Sequence, residues 1–507
     1  MTGKIISAYL LVSILLGTGS SSFAAIFQVK NANDLRTALQ QAQNNGQHDN
    51  IRIAQGYYLG NFIYTSHAVE NLAVEGGWKS DFSSRVINAE NTVLDGNQNG
   101  NVFIFSCDQK VNLTIDGITF QNGRISATKG AGVYIHNIGY DWDGSNTIKI
   151  ANNIIKNNSI TVGSVPPQGV GLYVWTYAKV IFMNNDVFGN PTPGQGQANG
   201  QGGGAYFEVN SKMDIINNSI HDNQAQHGGG LYVQSSYKQV RILNNRIFNN
   251  TAMTDDGYSV NGNGGGLSAD MWGLNDPTII SGNIFSNNVS GGYGGGIFLQ
   301  AYGEKFTITN NQLTGNTATR SGGGATILSE SYQGGNIIDF INNTVAGNQA
   351  GSQGGGLNLL MFSDKVTANL YNNIFWTNSS TNPGRDLYLD NDFDDNYLPG
   401  VCNLHNNNFN QSGWGIYMDI PFPIPSNNLN WKDPLFAGQW QDNYMLSKTS
   451  PCLNKGNNNA PNLPSTDLKG KPRIQDGVVD MGAYEGVSEL LAKPVLTPVM
   501  MLLLHND

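Results

Sequence analysis

A repeating unit constrains the fold of this chain more than any other feature of its sequence. Each copy begins with a glycine-rich stretch that leads directly into an apolar, β-prone segment, although consecutive glycines normally interrupt regular structure. Copies begin 26 to 39 residues apart, which is too long for a hexapeptide solenoid, and they are too strand-rich for helical repeats. The eight glycine-led motifs are "GAGVYI" at 130, "GVGLYV" at 169, "GGGAYF" at 202, "GGGLYV" at 228, "GGGLSA" at 264, "GGGIFL" at 294, "GGGATI" at 322 and "GGGLNL" at 354.

A pair of asparagines marks the second half of each unit, and an apolar side chain follows two residues after each pair. Asparagine tolerates the left-handed turn conformation, and its amide can hydrogen-bond to the equivalent residue of a neighbouring copy. Stacked coils of short strands would then form parallel sheets with a strand spacing of about 4.8 Å. We therefore predict a structural role for the repeated glycines and asparagines. The pairs are Asn152-Asn153, Asn184-Asn185, Asn217-Asn218, Asn244-Asn245, Asn310-Asn311, Asn342-Asn343, Asn372-Asn373 and Asn406-Asn407, with Gly282-Asn283 as a variant.

The pattern resembles the right-handed parallel β-helix of the pectin-lyase-like superfamily over about residues 50 to 410. The stretches "GGGIF" and "IFSNN" are also similar to the repeats of polymorphic outer-membrane proteins. We expect an all-β, single-stranded right-handed parallel β-helix solenoid of about ten coils. Before it, "NANDLRTALQQAQNN" places Leu35, Ala38, Leu39 and Ala42 at helical spacing, which predicts a capping helix with Asn33 as its N-cap.

The stretch from Asp433 to Glu485 resembles the choice-of-anchor Q module that ends many secreted bacterial β-helix proteins. Its matching motifs are Asp433-Pro434, Ser450-Pro451, Asp467-Leu468, Pro472-Arg473 and the sequence "DMGAYE" from Asp480 to Glu485. The predicted organisation is a signal peptide at 1–24, an N-terminal capping segment at 25–50 and a parallel β-helix at 51–410. A C-terminal coil with the choice-of-anchor-like module at 411–486 and a tail at 487–507 complete the chain.

Export is predicted from residues 1–24, which have a lysine near the start, an apolar run and small residues before Ala24. We expect a protein that is secreted or held at the surface of a bacterial-type cell. The apolar run near the C-terminus is far too short to cross a bilayer, so we predict no membrane span in the mature chain. Of the three cysteines, Cys402 and Cys452 are the candidate disulfide.

The net charge of −10 makes nucleic acid an unsuitable partner, because backbone phosphates require clustered basic side chains. It also disfavours bare polyanionic sugars. We predict a monomer that uses no cofactor and has no metal site. The calcium-loop-like stretch at 389–396 has Asp395 where the loop needs glycine, and it lacks the closing glutamate.

Strand alternation assigns the faces of the glycine-led motif. Its fourth and sixth residues are apolar in every copy, so they are predicted to point inward, while the fifth and seventh point outward. The outward positions are rich in tyrosine, with acids and amides beside them. Aromatic faces flanked by such groups suit sugars, although like residues can also stack on a β-helix exterior only to stabilise adjacent coils. The predicted glycan-binding residues are Tyr134, Tyr173, Trp175, Tyr206, Tyr232, Trp272 and Phe298.

Two acids provide the candidate catalytic residues. Glu208 and Asp270 occupy the same outward position two coils apart, which implies a separation of about 9 to 10 Å, near the upper end for inverting glycosidases. Clustered aspartates with a nearby arginine, as in calcium-dependent pectate lyases, are not found, so lyase chemistry is not supported. Two function classes stay open: a surface or secreted glycan-binding, adhesin-like protein, and a polysaccharide-degrading enzyme, of which a glycoside hydrolase is favoured.

Overall fold

Three long parallel sheets wind around one another and form a parallel β-helix in the computed structural model. The structure describes residues 25–486 except for 127–128, 142–143, 162–165, 193–199, 237, 254–261, 273–275, 303–304, 331–334, 391–399 and 440–441. The predicted all-β, right-handed parallel β-helix is confirmed. Its sheets contain 13, 13 and 12 strands, so the solenoid is longer than the predicted ten coils.

Each complete coil contributes one strand to each long sheet. Sheet A contains, in order, Ala25–Val29, Asp49–Ala54, Leu72–Trp78, Leu113–Asp116, Thr147–Ala151, Lys179–Met183, Met213–Ile216, Val240–Leu243, Thr278–Ser281, Lys305–Thr309, Asn336–Ile341, Val366–Tyr371 and Val401–His405. Sheet B contains Gly56–Leu59, Thr92–Asp95, Thr119–Gln121, Ile154–Lys156, Asp186–Phe188, Ser219–His221, Arg246–Phe248, Ile284–Ser286, Gln312–Thr314, Thr344–Ala346, Ile374–Trp376, Asn408–Phe409 and Leu429–Asn430.

Sheet C is built from the glycine-led motifs and their neighbours. Its strands are Phe62–Ser66, Phe103–Cys107, Val133–Asn137, Leu172–Thr176, Ala205–Val209, Leu231–Ser236, Leu267–Trp272, Ile297–Tyr302, Ala325–Glu330, Leu357–Met361, Leu387–Asp390 and Ile416–Met418. A fourth, short sheet precedes sheet C in six coils, with strands Gln224–Ala225, Thr251–Ala252, Val289–Ser290, Thr317–Ala318, Gln349–Ala350 and Ser379–Ser380.

Smaller elements complete the described structure. They are the helix Ala32–Ala42, a 3-10 turn at Ala89–Asn91, the parallel pair Arg124–Ile125 and Ser159–Ile160, and the antiparallel pair Phe436–Gly438 and Asn443–Leu446. The strands of the long sheets begin before residue 51 and continue past 410, so the β-helix extends beyond the predicted range at both ends.

The lumen of the solenoid is a continuous apolar core. The fourth and sixth residues of all eight glycine-led motifs belong to this core, which confirms the predicted inward face. Leu231 and Val233, for example, are fully buried there beside the equivalent residues of the adjacent coils. Burial of such side chains is the main favourable contribution to the stability of the fold.

Buried asparagines stabilise two corners of the coils in the middle of the solenoid. The first residue of each pair has a positive φ, such as 57° at Asn152, and the second is buried. The buried residues form a ladder in which each amide bonds to the next asparagine, from Asn153 to Asn428. A second ladder, which the sequence analysis did not identify, runs along the corner after sheet B and contains Asn158, Asn190, Asn223, Asn250, Asn288, Asn316, Asn348 and Asn378.

The glycines of the motif are required at the turn into sheet C. Gly228 has a φ of 60°, a conformation that residues with a Cβ rarely adopt. A Cβ on Gly230 would lie 2.7 Å from the carbonyl oxygen of Gly266 and 2.9 Å from the side-chain nitrogen, Nδ2, of Asn250. The third glycine therefore makes room for the second asparagine ladder.

The N-terminal helix closes the open end of the lumen. Its buried residues are Leu35, Ala38, Leu39 and Ala42, as predicted, and all four join the solenoid core. The predicted N-cap is wrong by two positions. The N-cap is Asn31, whose side chain accepts hydrogen bonds from the backbone N–H groups of Asn33 and Asp34 in the first turn of the helix. Asn33 instead accepts a hydrogen bond from Arg36 at 3.0 Å.

The C-terminal segment, residues 433–486, folds back along the solenoid. It covers the outer face of sheet B, where Ile374 packs with Leu446, Cys452 and Met481. The first asparagine of the pair on each of four successive coils donates a side-chain hydrogen bond to a main-chain oxygen of this segment; we call these residues corner asparagines. These bonds are Asn310 to Thr466 at 3.0 Å, Asn342 to Asp480 at 2.9 Å, Asn372 to Asn457 at 3.1 Å and Asn406 to Lys455 at 2.8 Å.

The expected disulfide between Cys402 and Cys452 is wrong, because both thiols are free. Cys402 points into the lumen, whereas Cys452 belongs to the segment on the outer face of sheet B, so a sheet separates them. The C-terminal segment also contacts the solenoid through Arg473, which is buried, pairs with Glu485 at 3.0 Å and bonds to Asn310.

Replacing Asn250 by alanine should lower the free energy of unfolding by about 3 kcal/mol, because buried partners lose their hydrogen bonds. The Asn250 amide donates to Ile220 at 2.9 Å and to Asn288 at 3.1 Å, and its oxygen accepts from the backbone of Asn223. The denaturant midpoint measures the change. Asn249→Gly is the control, since Asn249 is exposed with a positive φ and glycine tolerates that conformation. Equal midpoints for both variants would contradict a stabilising ladder.

Candidate functional site

The fifth residues of the glycine-led motifs form a row of stacked rings on the outer side of sheet C. Tyr134, Tyr173, Tyr206 and Tyr232 are in register on adjacent strands. Successive ring centroids are 5.4, 5.2 and 5.3 Å apart, and the ring planes differ by 9° or less. The sequence therefore predicted the row correctly. We call these four residues the tyrosine stack.

The predicted exposure of this row is wrong for most of its members. Tyr173, Tyr206 and Tyr232 are only 1%, 2% and 5% exposed, and Tyr134 is half-buried at the end of the stack. Stacking covers both faces of the inner rings, and the turn before each strand approaches their bases: a Cβ on Gly202 would lie 3.0 Å from the Cα of Tyr206. The Lys129 ammonium lies 4.5 Å from the centre of the Tyr173 ring. Alternation identifies the outward side, but it does not reveal what covers that side.

Phe298 is in the same row but is separated from the tyrosine stack by Ser268, and it is also buried. It lies 6.5 Å from the ring of Tyr293. The predicted exposure of Phe298 is therefore wrong as well, because strand alternation identifies the outward side of a strand but not whether other residues cover it.

The half-exposed surface of sheet C lies two residues further along each strand. The seventh residues are aligned across six coils in the order His136, Trp175, Glu208, Gln234, Asp270 and Gln300. Next to the end of this row, Trp272 is 43% exposed and stacks on Tyr302 with their centroids 4.1 Å apart. We call these eight residues the outer band.

Two tyrosines of the stack donate hydrogen bonds to acid and amide side chains of the outer band. The Tyr206 hydroxyl donates to Glu208 Oε2 at 3.2 Å or to Gln234 Oε1 at 3.3 Å, and the Tyr232 hydroxyl donates to Asp270. Burial raises the pKa of the Asp270 carboxyl above its usual range, and the bond from Tyr232 opposes the shift. Burial also raises the pKa of Tyr206 and Tyr232, so both phenols stay protonated donors.

Lys129 is a basic residue of this cluster that the sequence analysis missed. Its Nζ donates to the Tyr173 hydroxyl at 2.9 Å. Burial lowers the pKa of Lys129, and the charge of Glu208 opposes that shift. Burial likewise lowers the pKa of His136, with a further decrease from Lys129. Lys129 comes directly before its glycine-led motif and has no counterpart in other copies, so no repeat signal could identify it.

The structure brings the two candidate catalytic acids to one surface. Glu208 and Asp270 are on strands separated by one intervening strand, whose equivalent residue is Gln234. Two strand spacings place their backbones about 9 to 10 Å apart, as expected from the sequence. A carboxyl with a raised pKa can serve as a general acid, and in inverting glycosidases a second carboxylate about 6.5 to 9.5 Å from it leaves room for a water molecule.

Two further histidines, His221 and His227, lie outside the outer band. His221 stacks between Phe188 and Phe248 on sheet B, with Asp186 and Asp222 at its two ring nitrogens. These carboxylates raise the pKa of His221. His227 is largely buried, and burial lowers its pKa to about 4. Most of the calcium-loop-like stretch falls outside the described residues.

A family model described as "Right handed beta helix region" matches residues 80–269 and 197–350, which together span more than half of the chain. The chain belongs to the right-handed β-helix family. No curated protein shows significant similarity to it. Within the family, the glycine-led motifs from 130 to 322 all fall inside the matched range.

Two solved structures are similar to this β-helix protein. The crystal structure of pectate lyase Pel9A has 14% sequence identity and a TM-score of 0.41, and the match covers 92% of this chain and 97% of that chain. The PL6 family alginate lyase AlyGC has 14% identity and a TM-score of 0.33, with 87% of this chain and 60% of that chain covered. At these values, neither similarity carries information on the substrate or on site residues.

Replacing Tyr206 by alanine should lower the free energy of unfolding by about 3 to 5 kcal/mol, because a large buried ring leaves a cavity in the stack. Tyr206→Phe retains the ring and should cost about 1 kcal/mol for the lost hydrogen bonds. Tyr140→Ala is the control, since Tyr140 is 46% exposed and should change stability by less than about 1 kcal/mol. Unfolding midpoints measure these differences. Wild-type stability for Tyr206→Ala would show that the ring is not buried in solution.

Proposed function

We propose that the chain is an extracellular glycan-binding protein that holds polysaccharide on the outer band of sheet C. The observation that carries this proposal is the row of half-exposed aromatic, amide and carboxylate side chains in register on six adjacent strands. Sugars stack their C–H faces on aromatic rings while their hydroxyl groups bond to amides and carboxylates. Trp272 provides an exposed ring, Trp175 provides a half-buried one, and Gln234 provides an amide between two acids.

The tyrosine stack has a supporting role in this proposal. Its inner rings are buried, so they cannot meet a polymer directly, but their hydroxyls orient Glu208 and Asp270. Fixing polar groups before binding reduces the entropy that association would otherwise lose. Tyr173, Tyr206, Tyr232 and Phe298, which the sequence predicted to bind glycan, are therefore not part of the proposed binding surface. Residues of the outer band contact the glycan instead.

Export to the cell surface or the medium is part of the same proposal. It rests on residues 1–24, which lie outside the described residues, and on the resemblance of residues 433–485 to a module of secreted proteins. A helix long and apolar enough to cross a bilayer is not found in the described part of the chain. The excess of acidic over basic residues favours neutral glycans as partners.

A glycan array followed by titration of the bound polysaccharide tests the binding role. Trp175→Ala and Trp272→Ala should each weaken binding about tenfold, because each removes an aromatic stacking surface of the outer band. Trp431→Ala is the matched control, since Trp431 is 54% exposed and follows the last strand of sheet B. Its variant should bind as the wild type does. Equal losses for all three variants, or no glycan ligand on the array, would contradict the proposal.

Hydrolysis of the bound glycan is the second candidate function, favoured by the buried, tyrosine-bonded carboxyl of Asp270. In an inverting reaction, Asp270 would protonate the glycosidic oxygen while Glu208 removes a proton from the attacking water. The glycosidic bond breaks, water adds to the anomeric carbon, and the proton taken from water remains on Glu208.

Incubating the polysaccharide with the protein and measuring new reducing ends distinguishes an enzyme from a binding protein. Glu208→Gln and Asp270→Asn should each lower the rate by at least about 100-fold while largely retaining binding. Glu90→Gln, which alters an exposed acid outside sheet C, should leave the rate unchanged. Absence of new reducing ends with the wild-type protein would exclude hydrolysis of that glycan and leave binding as the function.

A further inference from the structure

A separate cleft lies where the C-terminal segment leaves the corner between sheets A and B. Its volume is about 680 Å³, within the range of small-molecule sites. One wall is formed by Asn217 on one coil of the solenoid and by Asn244 and Arg246 on the next, and the opposite wall by Ser465 and Thr466 of the C-terminal segment. The cleft is distinct from the outer band, which belongs to sheet C.

The corner asparagines of this cleft are equivalent to those that bind the C-terminal segment further along the solenoid. From Asn310 onward, each corner amide donates to an acceptor oxygen of that segment. Within the described part of the chain, the exposed side-chain amides of Asn217 and Asn244 make no hydrogen bond. Adjacent coils are about 4.8 Å apart. The side-chain amides of Asn217 and Asn244 therefore offer hydrogen-bond donors at the same spacing as the corner asparagines that bind the C-terminal segment.

Arg246 adds a positive charge to the same wall. Among the described residues its guanidinium has no carboxylate partner, and it lies 4.4 Å from the centre of the Phe248 ring. The nearest acid of the lining, Asp467, is buried and already accepts backbone N–H bonds from Lys469, Lys471 and Glu485. The ionised group available to a ligand in this cleft is therefore a cation.

The remaining lining suits a ligand that is both polar and partly apolar. Ile284, Pro464 and Leu468 are half-buried and offer apolar contact, while the hydroxyls of Ser465 and Thr466 are exposed. Sugar rings have this combination of C–H surface and hydroxyl groups. Amide donors with one free guanidinium additionally favour a carboxylate.

We propose that this cleft binds a sugar acid, a small polyhydroxylated molecule with one carboxylate. The carboxylate pairs with Arg246, its neighbouring oxygens accept bonds from Asn217 and Asn244, and the ring lies against the apolar side chains of the C-terminal segment. Because the site has two walls, it exists only while that segment is folded onto the solenoid. Its ligand therefore also stabilises the attachment of the segment.

Calorimetric titration of the full chain with D-glucuronate, D-glucose and acetate tests the proposal. Glucuronate should bind with a dissociation constant on the order of 1 mM, and glucose and acetate at least about fivefold more weakly, since each lacks half of the recognised chemistry. Arg246→Gln should weaken glucuronate binding about tenfold. Asn244→Gly should weaken it about threefold, and glycine is tolerated there because Gly282 occupies the equivalent position of the next coil with a φ of 70°.

Controls separate this site from the outer band. Arg385→Gln removes another exposed arginine that lies over an aromatic ring, Trp414, and should leave glucuronate binding unchanged, as should Trp272→Ala. Ser465→Ala, on the opposite wall, should weaken binding without altering the solenoid. No glucuronate binding by the wild-type chain, equal binding of glucose, or unchanged binding by both Arg246→Gln and Ser465→Ala would overturn the proposal.

Discussion

The buried asparagine side chain is the interaction on which the rest of the structure depends. A coil must turn sharply at each corner, and the backbone groups at the turn are removed from water. Asn245 shows the solution: its amide bonds to the Ile215 carbonyl at 2.9 Å and to Asn283 at 3.0 Å, while its oxygen accepts from the Asn218 backbone. One side chain thus satisfies groups on both neighbouring coils, and each of these groups would otherwise carry a desolvation cost of about 1 to 3 kcal/mol.

Register follows from these corners and gives sheet C its chemistry. Because each strand is aligned with the next, side chains at one position form a straight row across many coils. The inner row of tyrosines is buried and donates hydrogen bonds, and the outer band carries the acids that receive them. A carboxylate such as Asp270 is therefore held by a residue of the adjacent strand rather than by its own. The proposed glycan surface is a property of the stacked coils and is not formed by any one of them.

Much of the fold could be predicted because short periodicities report directly on local geometry. Alternation in the glycine-led motif identified the lumen face, and helical spacing identified the buried face of the N-terminal helix. What depends on distant parts of the chain was not predictable. The cover over Tyr206, the approach of Lys129 to Tyr173 and the separation of Cys402 from Cys452 by a sheet all depend on packing between segments. Even the N-cap of the helix was predicted at Asn33 and found at Asn31, because both asparagines satisfy the same local pattern.

The path of the C-terminal segment has a mechanical consequence. Stacked repeats normally fray from their ends, since each terminal coil is held only by one neighbour. Here bonds from Asn310 to Asn406 tie one continuous segment to four successive coils. A load that pulls on this end would be shared among those bonds in shear instead of breaking them one after another. The last coils would then detach as a block, and the solenoid would resist peeling from its C-terminal end.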